Sequence, residues 1–206
     1  MTDSRKVFLV DDDGSVRKAL TRLIKSAGYR VQAFGSAREF LDAKPETDGP
    51  ACLVLDVRMP GLTGLDLQGE LQAVNANLPI IFITGHGDIP MSVKAMKAGA
   101  VDFLPKPVKD TALLNAIEQA LARARREDTE RAELERIQSL LDTLTQRERE
   151  VLEHVVSGQL NKQIAFDLGT VEKTIKVHRA RVMEKMGAAS VAELVRLAQR
   201  VGIGKT

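Results

Sequence analysis

The sequence predicts two domains of different class. Residues 1–122 read as an α/β domain, a doubly wound five-stranded parallel sheet, and residues 143–206 as an all-α domain of four short helices built around a helix-turn-helix. Residues 123–142 continue the fifth helix of the first domain as a long helical linker. Three observations lead to this. Short apolar runs alternate with segments of helical periodicity five times, the pattern of parallel strands joined by crossover helices. Four of the five runs end in residues that can do chemistry, and the carboxyl ends of parallel strands share one edge of the sheet. Beyond Asp110 the strand pattern stops, no Pro or Gly occurs before Gly158, and capped helical segments follow.

In chain order, the first run is Val7-Phe8-Leu9-Val10, which ends in Asp11-Asp12-Asp13-Gly14. Val16, Leu20, Leu23 and Ile24 then recur at helical spacing, and Gly28 closes the segment. Tyr29, Val31 and Ala33 alternate as a second strand, which ends in Phe34-Gly35 and offers no reactive group. An outlying second strand explains that silence and gives the sheet order 2-1-3-4-5. Ser36 and Glu39 have capping-box spacing and open a short helix through Phe40 and Leu41. After a polar loop, Cys52-Leu53-Val54-Leu55 runs straight into Asp56, and Met59-Pro60-Gly61 turns the chain. So short and apolar a run reads as a strand buried on both faces. A helix with Leu65, Leu71 and Val74 follows, then a fourth strand over 79–83 ending at Thr84-Gly85. Residues 91–98 form a helix stopped by Gly99, and 101–104 a fifth strand leading to Pro105-Lys106-Pro107. Leu113, Leu114 and Ile117 begin the fifth helix.

Composition narrows the class. Apolar residues at 44% and charged residues at 28% are ordinary for a soluble globular protein. No apolar run approaches the about 18 residues of a membrane helix, and a cytoplasmic protein is expected. The one cysteine, Cys52, lies inside the buried run, which excludes a disulfide framework and makes it a small core hydrophobe. Charge is unevenly spread: residues 143–206 carry 11 basic against 7 acidic groups, whereas 1–120 carry 14 against 15. The basic excess points to a polyanion partner for the C-terminal third alone.

The expected sheet edge gathers Asp11, Asp12, Asp56, Thr84 and Lys106. Clustered carboxylates repel one another unless a cation sits among them. Hard oxygen donors suit Mg²⁺, which takes one or two carboxylates and keeps waters that a phosphate group can replace. Asp56 can attack a phosphoryl donor as a carboxylate nucleophile, giving an aspartyl phosphate. Lys106 and the Thr84 hydroxyl then hold phosphoryl oxygens, which is the positioning and charge stabilisation that phosphoryl transfer requires. Asp13 reads as a solvated acid at a helix start, and His86 as an incidental loop histidine.

Val10-Asp11-Asp12, Leu55-Asp56, Thr84 and Lys106-Pro107 together resemble the receiver domain of two-component response regulators, over roughly residues 5–122. The resemblance implies that Asp56 accepts phosphate from a sensor histidine kinase. It implies Mg²⁺ held by Asp12, Asp56 and the Arg58 backbone carbonyl, with Asp11 acting mainly through water. Thr84 and Phe103 match the family's paired switch positions, and Lys106-Pro107 its cis peptide bond.

Past the receiver-like part, Leu134, Ile137, Leu141 and Leu144 form a stripe that fits either a short coiled coil between two copies or a solvated spacer. Thr145 and Glu148 make a capping box ahead of Val151, Leu152, Val155 and Val156. Asn161 is expected to cap a helix over 162–168, and Thr170 a longer one over 171–186, with a two-residue turn between them. Ser190 and Glu193 form another capping box, opening 191–201. On the 171–186 helix, Ile175, Val182 and Met186 share one face. Lys173, Val177, Ala180 and Arg181 centre the opposite one, with Lys176 at its border. A basic face with an exposed Val suits the major groove, the cations on phosphates or guanine edges and Val177 on a thymine methyl.

This region resembles the LuxR-type output domain, on Leu144-Thr145-Gln146-Arg147-Glu148, Asn161-Lys162-Gln163-Ile164-Ala165 and Thr174-Ile175-Lys176-Val177-His178. Joined to the receiver-like part, it resembles the FixJ/NarL family, and FixJ-like regulators most. The resemblance implies base-facing Lys176 and Val177, a structural His178, and a DNA-binding set of Lys162, Lys173, Thr174, Lys176, Val177 and Arg181. It also implies a last helix that mediates dimerisation of output domains on DNA.

The expected function is that of a transcription regulator, not an enzyme beyond its own Asp phosphorylation and slow dephosphorylation. Phosphate on Asp56 is expected to draw Thr84 inward, bury Phe103 and remodel the face around residues 91–98 and 101–117 for homodimerisation. Double-stranded promoter DNA and RNA polymerase are the expected further partners. Two rivals come from other classes. An Asp-nucleophile phosphatase resembles this pattern but carries a second acid two residues after the nucleophile, where Arg58 stands. A protein- or RNA-binding output module is the other, and the capped helix pair argues against it.

Overall fold

The computed structural model describes residues 5–47, 49–74, 78–85 and 89–204, and the chain divides into two compact units, 1–128 and 129–206. In the first, β1 (Lys6–Val10), β2 (Arg30–Phe34), β3 (Ala51–Asp56), β4 (Ile80–Thr84) and β5 (Asp102–Pro105) alternate with α1 (Gly14–Ser26), α2 (Ala37–Ala43), α3 (Gly64–Ala73), α4 (Ile89–Lys97) and α5 (Asp110–Asp142). All strands are parallel, in the order β2-β1-β3-β4-β5 expected from the sequence.

Strand alternation assigns each residue to a face. Val7, Leu9, Cys52, Val54, Ile81 and Ile83 pack with Leu20 and Ile24 of α1 and Leu113, Ile117 and Leu121 of α5. Phe8, Val10, Leu53, Leu55 and Phe82 point the other way, onto Phe40 of α2, Leu67 and Leu71 of α3 and Ala95 of α4. β3 is buried at every position, as its unbroken apolar run requires. Burial pushes the Cys52 thiol up to about 12, consistent with a core hydrophobe. Phe8, Phe34 and Phe40 meet with ring centroids 5.2–6.5 Å apart and close the β2 end of the sheet. Such pairs add about 0.5–1.5 kcal/mol each beyond their burial. Val74, expected on the buried stripe of α3, is 72% exposed, because α3 ends at Ala73 and Val74 caps it.

The second unit contains α6 (Gln146–Val156), α7 (Asn161–Asp167), α8 (Glu172–Lys185) and α9 (Val191–Arg200). Val151, Leu152, Val155, Ile164, Ile175, Val182, Met186 and Leu194 form its core. The end of α5 belongs to the same core: its Ile137 and Leu141, with Leu144 just beyond it, are buried there, while Leu134 is 40% exposed. From Ile137 onward, beyond the exposed Leu134, the apolar stripe is therefore covered within this chain. Its 3–4 spacing faces α-helical partners within one chain.

Helix starts show where local chemistry governs. Thr145 accepts from the Glu148 N–H, and Glu148 Oε2 accepts from the Thr145 N–H, a complete capping box. At Ser36 and Ser190 the serine caps as expected, but the Glu39 and Glu193 carboxylates reach the preceding residues' N–H groups, Gly35 and Ala189. Asn161 and Thr170 are not caps. Leu160 and Val171 hold those positions, and the Gln163 side chain accepts from the Leu160 N–H. The turn between α7 and α8 therefore spans residues 168–171 rather than two. No helix among the described residues is long and apolar enough to cross a membrane.

Candidate functional sites

The carboxyl ends of β1, β3, β4 and β5 bring the predicted residues together. Asp11 and Asp56 are buried and Asp12 is exposed, and ligand atoms of the three lie within 4.8 Å of one another. Lys106 reaches back across the sheet, its Nζ 2.7 Å from Asp11 Oδ2 and 2.5 Å from Asp56 Oδ2. The Asp13 N–H donates to Asp11 Oδ1 at 2.9 Å and the Arg58 N–H to Asp56 Oδ1 at 3.1 Å. Every carboxylate oxygen of Asp11 and Asp56 therefore has a donor, as buried charges require. Burial drives the Asp11 carboxyl above the ordinary carboxylate range, against the opposing pull of Lys106. Burial lowers the Lys106 ammonium, but its bonds to Asp11 and Asp56 outweigh that and hold it above the usual lysine range.

Backbone geometry positions these groups. Gly64 begins α3 against the end of β3: a Cβ there would sit 2.3 Å from the Asp56 carbonyl oxygen, so only glycine permits the approach. The Lys106-Pro107 bond is cis, as the resemblance implied. Asp13 lies outside the acid cluster and caps α1, accepting from the Ser15 and Val16 N–H groups. Those bonds lower its carboxyl. Thr84 is buried at the end of β4, one residue beyond the Ile83 that pairs with Asp56. Phe103 is half-buried on β5, its ring centroid 6.1 Å from that of Phe82. His86 falls outside the described residues. Sequence reading missed Arg17, whose Nη1 donates to the Asp11 carbonyl at 2.6 Å. Its place in the first turn of an amphipathic helix looks like any solvated position.

The arrangement can bind a hard cation on its exposed acid edge and present one carboxylate to an incoming electrophile. Asp12 supplies an open oxygen ligand, and the donor set is all oxygen, which fits Mg²⁺.

In the second unit, α8 and its C-cap bury Ile175, Val182 and Met186, and Lys173, Lys176, Val177, Ala180 and Arg181 are exposed, as the periodicity predicted. Val177 is 46% exposed, and Lys176 pairs with Glu172 at 3.0 Å within the helix. Thr174 is half-buried beside this face, and Lys162 is exposed on α7. His178 is half-buried, its Nδ1 without a hydrogen-bond partner among the described residues.

Residues 7–118 match the family model of the response regulator receiver domain, and residues 142–198 that of the luxR family of bacterial regulatory proteins. Nodulation protein W of Bradyrhizobium diazoefficiens is 51% identical over 197 residues, covering 96% of this chain and 86% of its own. Transcriptional regulatory protein FixJ of Azorhizobium caulinodans is 45% identical over 203 residues, 98% of this chain and 96% of its own. Among solved structures, response regulator StyR superposes with a TM-score of 0.86 at 47% identity, covering 96% of this chain and 99% of that one.

Proposed function

Because the chain belongs to the response regulators that join a receiver domain to a LuxR-family DNA-binding domain, we propose that phosphorylation of Asp56 is the event that switches it. The protein is a phosphorylation-dependent, DNA-binding transcription regulator. The observation that carries the assignment to Asp56 is its pairing with Lys106 at 2.5 Å inside a three-carboxylate cluster.

An oxygen of Asp56 attacks the phosphorus of a phosphohistidine on the sensor kinase. The O–P bond forms, the P–N bond breaks, and the imidazole leaves with the electron pair. Each Asp56 oxygen has one hydrogen-bond donor at rest and keeps a lone pair for the attack, and Lys106 passes from the carboxylate to a phosphoryl oxygen as the bond forms. Thr84 takes a second phosphoryl oxygen. Asp12, Asp56 and the Arg58 carbonyl would hold Mg²⁺, with Asp11 bound through water; the ion supplies charge neutralisation for the phosphoryl group. The receiver's contribution ends at its own phosphorylation and slow dephosphorylation.

Phosphate on Asp56 biases a two-state element. Thr84 moves toward it, the half-buried Phe103 follows into the space vacated, and the α4–β5–α5 face is remodelled for homodimerisation. Residues 1–122 act as the receiver, 123–142 as the helical connection and 143–206 as the DNA-binding domain. There Lys162, Lys173, Thr174 and Arg181 meet phosphates and Lys176 and Val177 meet base edges, placing the regulator on promoter DNA where RNA polymerase is recruited.

Dimerisation of wild type and Asp56→Asn, measured with a small phosphodonor and Mg²⁺, tests the switch. Wild type should dimerise on phosphorylation and the variant should not; equal responses would remove Asp56 from the mechanism.

A further inference from the structure

α7 is a helix of only seven residues that packs on α8, the helix read above as meeting DNA, so few side chains are available to hold the pair at a fixed angle. Ile164 and Ala165 bury one side of it, which leaves rotation and tilt about that contact to be controlled at its ends.

Both ends are tied by arginine. At the N-terminal end, Arg179 of α8 donates from Nη1 to Asn161 Oδ1 at 2.9 Å. At the C-terminal end, Arg147 of α6 donates from Nη2 to the Leu168 carbonyl at 2.5 Å and from Nη1 to Glu150 Oε2 at 2.8 Å. Gln159 adds a shorter-range tie, its Nε2 donating to Asp167 Oδ2 at 3.1 Å. Arg147 and Arg179 are half-buried, unlike Lys173, Lys176 and Arg181. A guanidinium suits this work, since its planar fork gives fixed donor directions and little freedom is lost per bond formed.

We propose that Arg147 and Arg179 are positioning residues for DNA recognition, bracing α7 against α6 and α8 through Leu168 and Asn161, and are not contacts to DNA phosphates. They belong to the basic excess that marks this region as DNA-binding, but their charge is spent inside the protein. The inference rests on the DNA-binding reading of α8 and adds to it the residues that fix the helix pair. Asn161, whose sequence position suggests a helix cap, becomes the acceptor of the brace.

Phosphate contact and brace differ in salt dependence. Each lost phosphate contact reduces the slope of log affinity against log salt by about 0.9, whereas a lost brace leaves the slope unchanged. Full-length protein, treated with a small phosphodonor and Mg²⁺, would be titrated with two duplexes over a range of salt. One is selected from a random pool by the wild-type protein, and the other is its scrambled counterpart. Arg179→Met and Asn161→Ala should each reduce the preference for the selected duplex by about tenfold, the double variant little further, all with the wild-type slope. Arg147→Met should act in the same direction. A slope reduced by about one in Arg179→Met, with Asn161→Ala binding as wild type, would make Arg179 a phosphate contact and overturn the proposal. Equal loss on both duplexes would reduce it to folded fraction, and no loss in either single variant would also overturn it. A wild-type chain that did not distinguish the duplexes would remove the DNA reading, and the braces with it.

Discussion

Lys106 Nζ lies 2.5 Å from Asp56 Oδ2, although fifty residues separate them in sequence, Asp56 closing β3 and Lys106 following β5. The same ammonium bonds Asp11, so a single cation serves two buried carboxylates in the resting site. It occupies the role that an added divalent cation would share, and the two should compete for the same charge.

Lys106→Met should therefore destabilise the first unit by about 3 kcal/mol in chelator, because two buried carboxylates lose their partner. Millimolar Mg²⁺ should recover more stability in the variant than in the wild type, where Lys106 already offsets the repulsion. Thermal unfolding with and without Mg²⁺ reads both. An equal Mg²⁺ increment in the two proteins would mean that Lys106 and the ion do not compete for these acids, and no increment in either that the ion does not bind among them.

Gly64→Ala should cost about 1–3 kcal/mol, because its Cβ would meet the rigid Asp56 carbonyl at 2.3 Å and β3 or α3 must shift. The shift falls on β3, which carries the proposed phosphoacceptor Asp56, so phosphorylation by a small donor should slow as well. Urea unfolding and the phosphorylation rate measure the two effects. A variant with wild-type values for both would show that the loop yields without moving Asp56.

Glu148 gives the second unit an acid limit. It is buried, and the Lys185 ammonium at 2.6 Å, then the Thr145 N–H, hold its carboxyl down at about 2 from an ordinary 4.5. A lowered folded value means that the unfolded chain binds the proton first as pH falls. The stabilisation is thus complete above about pH 4.5 and is lost progressively toward pH 2. Glu148→Gln should flatten that dependence and cost about 3 kcal/mol at neutral pH by leaving Lys185 without its acid. Urea midpoints of residues 129–206 from pH 7 to pH 3 provide the measurement; a wild-type slope retained in Glu148→Gln would place the acid sensitivity elsewhere.

What the sequence made legible follows its periodicities. β3 is a short unbroken apolar run ending in Asp56, and the buried face of α8 is a pattern of period 3.6; both, like the five strand–helix alternations, are read directly from side-chain class. Legibility failed where a polar side chain chooses between local and distant partners. Asn161 and Thr170 stand where caps belong, yet Asn161 binds Arg179, eighteen residues on, and local spacing carries no trace of that choice. Arg17 was invisible for the same reason, since its partner is a backbone carbonyl. The stripe through Ile137 and Leu141 was visible, but an apolar stripe does not say whether its partner is another copy or the rest of the same chain.

That stripe supports the last prediction. Ile137 and Leu141 are 0% and 3% exposed and sit with Leu144 among Val151, Leu152, Val155 and Leu194. Around them, Glu133 faces Arg200 at 3.6 Å and Asp142 faces Arg149 at 3.0 Å. The surface pairs contribute little, but removing a buried Ile or Leu side chain costs about 2–5 kcal/mol. Such a loss is a large part of the stability of a domain this small. A fragment of residues 129–206 should therefore unfold cooperatively, whereas one of residues 143–206 should melt at a lower temperature with a broader transition. Ile137→Ala in the longer fragment should reproduce much of that loss. Equal midpoints for the two fragments would mean that the end of α5 lies on the core without supporting it, and the stripe would then need another partner.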